Sequence, residues 1–407
     1  MGTLRFIRDN LRWLAAGVLL TFMSSFGQTF FISIFAGEIR GEFGLSHGQW
    51  GGIYTIGTTA SAIVMVWAGG LTDRFRVRAL GAAILVLLSL ACLFMARNNA
   101  AWLLPLVIFA LRFTGQGMTS HISMVAMSRW FIATRGRALS VATLGFSIGE
   151  ALLPITFVAL MVSYDWRTLW LVAALVALFG MPALYALLRQ ERTPQSFMAS
   201  ESTTGMEGRH WTRNQAFAHF LFWFMVPAIL GPGAFNTAFF FHQVHLAEVK
   251  GMSHVALVAL FPLYTIMTTG FMLIAGFLID RFGPVRLIPF IQIPIAIGFV
   301  FFAYADGVAG MMIGLLFLAL TSGTMATMPN AFWAEIYGTG HIGSVKAMVA
   351  AVMVFGSAIG PGITGLGIDL GLGIETQFLL ISGYFVFATV MMMIGVARVR
   401  AVLSVAT

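Results

Sequence analysis

The chain has 407 residues, 59% of them hydrophobic and 9% charged, with a formal net charge of +8. Soluble domains carry about 25% charged residues, so this composition excludes one large soluble core. The positive balance, 23 basic against 15 acidic residues, raises nucleic acid as a partner; the placement of those cations removes it below.

A spanning helix needs roughly 20 apolar residues. Twelve segments satisfy this in chain order: 12–36, 48–71, 79–97, 101–127, 138–162, 167–189, 217–242, 255–279, 286–304, 308–332, 346–368 and 376–397. The first is too long for a signal-peptide core and no small-residue cleavage pattern follows it, so it reads as a mature helix. Cys92, the sole cysteine, lies in the third segment and excludes an intrachain disulfide. Between the sixth and seventh segments, Arg192, Glu201, Glu207, Arg209 and Arg213 stand among Ser, Thr and Pro. That stretch has too little apolar surface to fold alone and reads as a linker. The expected organisation is an all-α membrane protein: a six-helix bundle over 1–189, a cytoplasmic linker over 190–214 and a second six-helix bundle over 215–407.

Basic residues set membrane orientation. With the N-terminus inside, eighteen Lys and Arg fall on the cytoplasmic side and four outside: Arg40, Arg97, Arg167 and Lys250. Only Arg112 remains within a span. Both termini are therefore expected in the cytoplasm, in the cell membrane. The net charge is a by-product of insertion, and no nucleic acid is implied.

The chain also repeats itself. Gly69-Gly-Leu-Thr-Asp73-Arg74-Phe-Arg-Val-Arg78 returns as Gly276-Phe-Leu-Ile-Asp280-Arg281-Phe-Gly283-Pro-Val-Arg286. Asp73 and Asp280 are 207 positions apart, as are the Ser46-His47 and Ser253-His254 pairs. Gln28-Thr29 and Asn236-Thr237 are 208 apart. Internal repeats of hydrophobic segments are a mark of transporter folds.

Ionisable groups at mid-membrane are costly and so are functional candidates. Two remain once loop charges are set aside, Arg112 and Glu150. At 1.5 Å per residue, Arg112 lies ~16 Å from one face and Glu150 ~18 Å from the other. A hydrocarbon core of about 30 Å puts both near its middle. Antiparallel neighbouring helices can bring them together. One reading is a charge pair that fixes helix packing; the other is a substrate anchor, Arg112, with a proton switch, Glu150. A guanidinium fork matches a carboxylate or phosphate. His121, nine residues after Arg112, is a candidate proton relay or an ordinary interface histidine. Gln28, Thr29, Asn236 and Thr237 are candidate substrate ligands or interhelical hydrogen-bonding groups.

Six plus six helices, a charged central loop and Gly-x-x-x-Asp-Arg after the second helix of each half resemble the major facilitator superfamily. Arg112-Phe-Thr-Gly115-Gln-Gly117 resembles its arginine-glycine motif. Trp130-Phe131, Arg135-Gly-Arg137-Ala138 and Gly145-x-x-x-Gly149 resemble the start of helix 5 in monocarboxylate transporters and oxalate/formate antiporters. The resemblance implies that helices 1, 4, 7 and 10 line a cavity, which places Gln28, Thr29, Asn236 and Thr237 near substrate. It also implies gating at the repeated loop by Asp73, Arg74 and Arg78, with Asp280 and Arg281 in the second copy and Lys346 at the start of helix 11.

The expected function is secondary transport of a small organic anion, monocarboxylate-like and proton-coupled, by alternating access. The alternative is a proton-driven efflux antiporter for hydrophobic or cationic compounds. A phosphate-binding glycine loop and a metal-ligand cluster are missing from the sequence, so no cofactor, metal or enzymatic activity is expected. Partners are the substrate, protons and the lipid bilayer, for a chain acting as a monomer.

Overall fold

The computed structural model describes residues 3–131, 134–190 and 204–405, and no strand occurs among them. Eleven helices there are long and apolar enough to cross a membrane, and a bent pair supplies the twelfth. We number them α1 (Leu11–Gly27 with Thr29–Phe43), α2 (His47–Arg74), α3 (Val77–Arg97), α4 (Ala101–Trp130), α5 (Arg135–Leu160) and α6 (Trp166–Leu187). The second half holds α7 (Phe220–Phe241), α8 (His254–Phe282), α9 (Pro284–Tyr304), α10 (Gly307–Tyr337), α11 (Ile342–Asp369) and α12 (Ile374–Val399). The chain divides into two compact units, 1–198 with 240–244, and 199–239 with 245–407.

The repeat has a structural cause. Gly44 and Gly251 adopt left-handed backbone, with φ of 63° and 62°, which ends the preceding helix at little steric cost. Ser46 then caps α2 by accepting from the Gln49 amide, and Ser253 caps α8 by accepting from the Ala256 amide. Packing repeats as well. Helix α2 lies along α4 and α3 along α6; in the second half α8 lies along α10 and α9 along α12. Small residues allow the closest approaches. A Cβ on Gly145 would stand 2.0 Å from the Val18 carbonyl, and one on Gly149 2.0 Å from the Ser25 hydroxyl, so α5 seats directly on α1. On α11, Gly356 and Gly360 do the same against the Leu230 and Ala234 carbonyls of α7.

Two features differ from the sequence reading. The first span, read as continuous over 12–36, bends by 48°. Ser24 donates to the Thr21 carbonyl at 2.7 Å, Ser24–Gly27 forms a 3-10 turn, and Gln28 is extended. Serine hydroxyls that compete for backbone acceptors loosen a helix at this kind of point. The stretch read as linker is partly folded. Residues 191–203 lie outside the described ones, but Trp211 is buried, donates to the Met206 carbonyl at 3.1 Å and packs on Tyr337. Two apolar side chains, Met206 and Trp211, dock this stretch into the core of the second unit.

Candidate functional site

The break in α1 meets an irregular stretch of α4. Residues Arg112–Thr119 form a π-helical segment between regular turns, a departure often associated with function. Gly27 and Gly115 cross there. A Cβ on Gly27 would stand 2.2 Å from the Leu111 carbonyl and 2.8 Å from the Gln116 amide; one on Gly115 would stand 2.7 Å from the Gly27 Cα. Only glycine at both positions permits this approach.

Arg112 opens the π segment and is 1% exposed. Its Nη1 donates to the Gly27 carbonyl at 3.2 Å and to the Thr29 hydroxyl at 3.4 Å, one group on either side of the break. Thr29 and Tyr54 share a 2.5 Å hydrogen bond between their hydroxyls, and the guanidinium lies 5.3 Å from the Tyr54 ring centroid. A cation over an aromatic face gains about 0.5–2 kcal/mol, depending on how far it is desolvated. Burying a charge costs several kcal/mol. The Arg112 Nε–H is buried without a hydrogen-bond partner, and no carboxylate is among the partners of Arg112 in the described residues. The site therefore holds a cation with donor capacity in reserve. Tyr54 is in turn packed by Phe241, at 4.7 Å between centroids, in the 240–244 segment that clusters with the first unit.

The structure brings Arg112, Thr29 and the Gln28 backbone to one place. Glu150 is not in contact with Arg112. It is half-buried on α5, one residue after Gly149 and on the stripe of Phe146, whose ring meets Phe30 of α1 edge-on at 5.6 Å. The partners of Arg112 lie instead on α1, at Gly27 and Thr29, and on α2, at Tyr54. His121 sits beside Gly69 at the end of α2, where a Cβ would lie 3.4 Å from its Nε2. In the second unit, Asn236 is half-buried with a buried Oδ1 lacking a hydrogen-bond partner, and Thr237, also half-buried, follows it.

Asp73 accepts from Arg129 at the end of α4, which also donates to the Thr72 carbonyl at 2.7 Å. Arg74 is exposed, and Arg78 lies over the Tyr185 ring at 5.7 Å. Asp280 is exposed and Arg281 lies by Phe282. Lys346 lines a cavity in the second unit. Sequence reasoning missed Tyr54, Gly27 and Arg129; the first two carry no charge to flag them.

A twelve-span helical chain, doubled in sequence, with a buried cation at a broken helix, is the architecture of a membrane transporter rather than an enzyme. The comparisons agree. The profile of the Major Facilitator Superfamily matches residues 17–361, and the chain belongs to that family. A search of curated protein sequences returned no match. Among solved structures, a bacterial homologue of the human lysosomal transporter Spinster, inward-facing and unoccupied, aligns with a TM-score of 0.70 at 15% identity over 96% of each chain. The nucleoside transporter NupG aligns with 0.73 at 14% identity, covering 95% of this chain and 98% of its own. A D-xylose-proton symporter aligns with 0.72 at 14% identity, covering 94% and 97%. These likenesses establish the fold.

Proposed function

We propose that this chain carries a small organic anion, monocarboxylate-like, with Arg112 as its anchor. The observation that carries the reading is the buried guanidinium whose Nε–H has no hydrogen-bond partner and which no carboxylate of the described chain neutralises. An incoming carboxylate supplies both the acceptor and the charge, and planar two-point recognition suits a guanidinium. Its present acceptors, a carbonyl and a hydroxyl flanking the α1 break, are neutral and can be exchanged as that break rearranges. Alternating access is the mode of transport, with Gln28 and Thr29 of α1 and Asn236 and Thr237 of α7 as further ligands.

Proton coupling is assigned to Glu150. Seated on the α5 stripe that packs against α1, it acts on the anchor through the α1 break rather than by direct contact. The distribution of basic residues supports a cell-membrane protein with both termini in the cytoplasm. Uptake of labelled formate, acetate, lactate and benzoate into proteoliposomes, with and without an inward proton gradient, tests the reading. One or more carboxylates should accumulate faster with the gradient. Glu150→Gln, a mimic of the protonated acid, should keep exchange and lose the acceleration. Outward movement of cationic or neutral amphiphiles, with no carboxylate uptake, would replace this reading with efflux. Gradient-driven accumulation in Glu150→Gln would move the proton to another group, with His121 next to be tested.

A further inference from the structure

The second unit contains a cavity of about 280 Å³ that the anchor site does not use. It lies where α7, α9 and α11 begin and α10 and α12 end, so it sits toward one end of the bundle. Its wall is formed largely by Met225, Met325 and Met392 with neighbouring aliphatic residues, and its polar groups are Asn330, Trp333 and Lys346. Methionine adapts to irregular apolar shapes, so such a wall accepts a flexible hydrocarbon.

The polar groups specify the other end of the ligand. Trp333 is 2% exposed, and its indole N–H has no hydrogen-bond partner. Its ring is fixed by stacking on Tyr337, with centroids 5.6 Å apart and planes within 2°. An indole N–H only donates, and so does an ammonium, which carries three protons and can serve a further acceptor beside any it already holds. The Asn330 amide nitrogen donates to the Ala326 carbonyl at 3.3 Å. A ligand reaching this cavity therefore meets an unpartnered indole N–H and an ammonium at its head, beside the Asn330 amide, and hydrocarbon around its tail. Ligand cavities usually begin at about 300 Å³, so the occupant is small.

We infer that this cavity, which shares no residue with the Arg112 site, is a second ligand site, for a medium-chain amphipathic carboxylate. The same chemistry occurs in soluble acids and in anionic lipids; the small volume, about 280 Å³, favours the soluble acid. The site goes beyond the anchor reading and does not depend on it.

The test is calorimetric titration of the full-length chain in phosphatidylcholine nanodiscs with octanoate, octanamide and acetate, corrected with empty nanodiscs. Octanoate should bind at least tenfold more tightly than octanamide or acetate. Lys346→Met, which keeps length and removes charge, should weaken octanoate at least tenfold. Trp333→Phe, which keeps the stacked ring and removes the N–H, should weaken it three- to tenfold. Both losses should also appear in the Arg112→Lys background, which isolates this cavity. Loss of the first-half site alone would leave them intact, so failure of one reading is distinguishable from failure of the other. Equal affinity for octanoate and octanamide, or no effect of Lys346→Met, would overturn the proposal. Octanoate affinity should be unchanged in phosphatidylglycerol nanodiscs; a tenfold drop there would mean that anionic lipid owns the cavity and would overturn the soluble ligand.

Discussion

Gly27→Ala is the sharpest perturbation of the site that adds no polar group. The new Cβ would stand 2.2 Å from the Leu111 carbonyl and 2.8 Å from the Gln116 amide and Gly115 Cα. All three neighbours are backbone, so no side chain can rotate away. Relief requires α1 and the π segment of α4 to separate by about 1 Å, since ordinary carbon contacts are about 3.5–4.0 Å. Overpacking of this kind costs typically 1–3 kcal/mol. The Arg112–Gly27 hydrogen bond, 3.2 Å at rest, would not survive such a shift. Thermal unfolding in detergent should therefore fall by several degrees, and transport in proteoliposomes should fall at least tenfold. Gly52→Ala is the control. It lies on α2 with open space where its Cβ would go, and alanine is the better helix former by about 1 kcal/mol. It should leave transport and stability at or above the parent. Parent-like transport and unfolding in Gly27→Ala would refute the idea that the α1–α4 crossing builds the site.

Tyr54→Phe keeps the ring under Arg112 and removes the hydroxyl bonded to Thr29. A net loss of about 0.5–1.5 kcal/mol is expected, seen as a threefold to tenfold weaker substrate affinity at unchanged expression. Asp165→Ala removes the cap of α6, in which Asp165 accepts from the Arg167 and Thr168 amides and the Thr168 hydroxyl. It should cost about 1 kcal/mol in an unfolding scan at neutral pH. Those hydrogen bonds, chiefly from Thr168, hold the carboxyl below its ordinary pKa. Its contribution is thus complete above the ordinary value and is lost as pH falls through the lowered one. The parent and Asp165→Ala should converge in stability under acid.

The twelve spans were legible because hydropathy alone demands them, and the doubled Gly–Ser turns before α2 and α8 marked the repeat. Arg112 was legible as the only cation deep in a span. Its surroundings were not. The break at Gln28 interrupts an apolar run with no proline, and its cause, two serines and a glycine, is weak as a sequence signal. The pairing of Arg112 with α1 rather than with Glu150 depends on that break and on the π segment, neither of which has a periodicity to read. Asp73, expected in gating, pairs with Arg129 of its own half, an exposed pair at the end of α4 that no charge pattern in the sequence joined. Exposed pairs contribute about 0–1 kcal/mol, so this contact alone says little about gating. The folding of Trp211 onto Tyr337 was hidden because a polar stretch with one tryptophan looks like a linker until its docking surface is known.

The central claim is that Arg112 binds the anion through its fork. Lysine at this position keeps the charge and loses the planar donor pair. The most direct measurement is equilibrium binding of the carboxylate taken up fastest in the transport panel, to the parent and to Arg112→Lys, with folding of both verified by unfolding temperature. Loss of a hydrogen bond to a charged partner costs about 1.5–3 kcal/mol, a tenfold to hundredfold fall in affinity. That fall, at parent-like stability, is the predicted result. Unchanged affinity and turnover in Arg112→Lys would contradict the account.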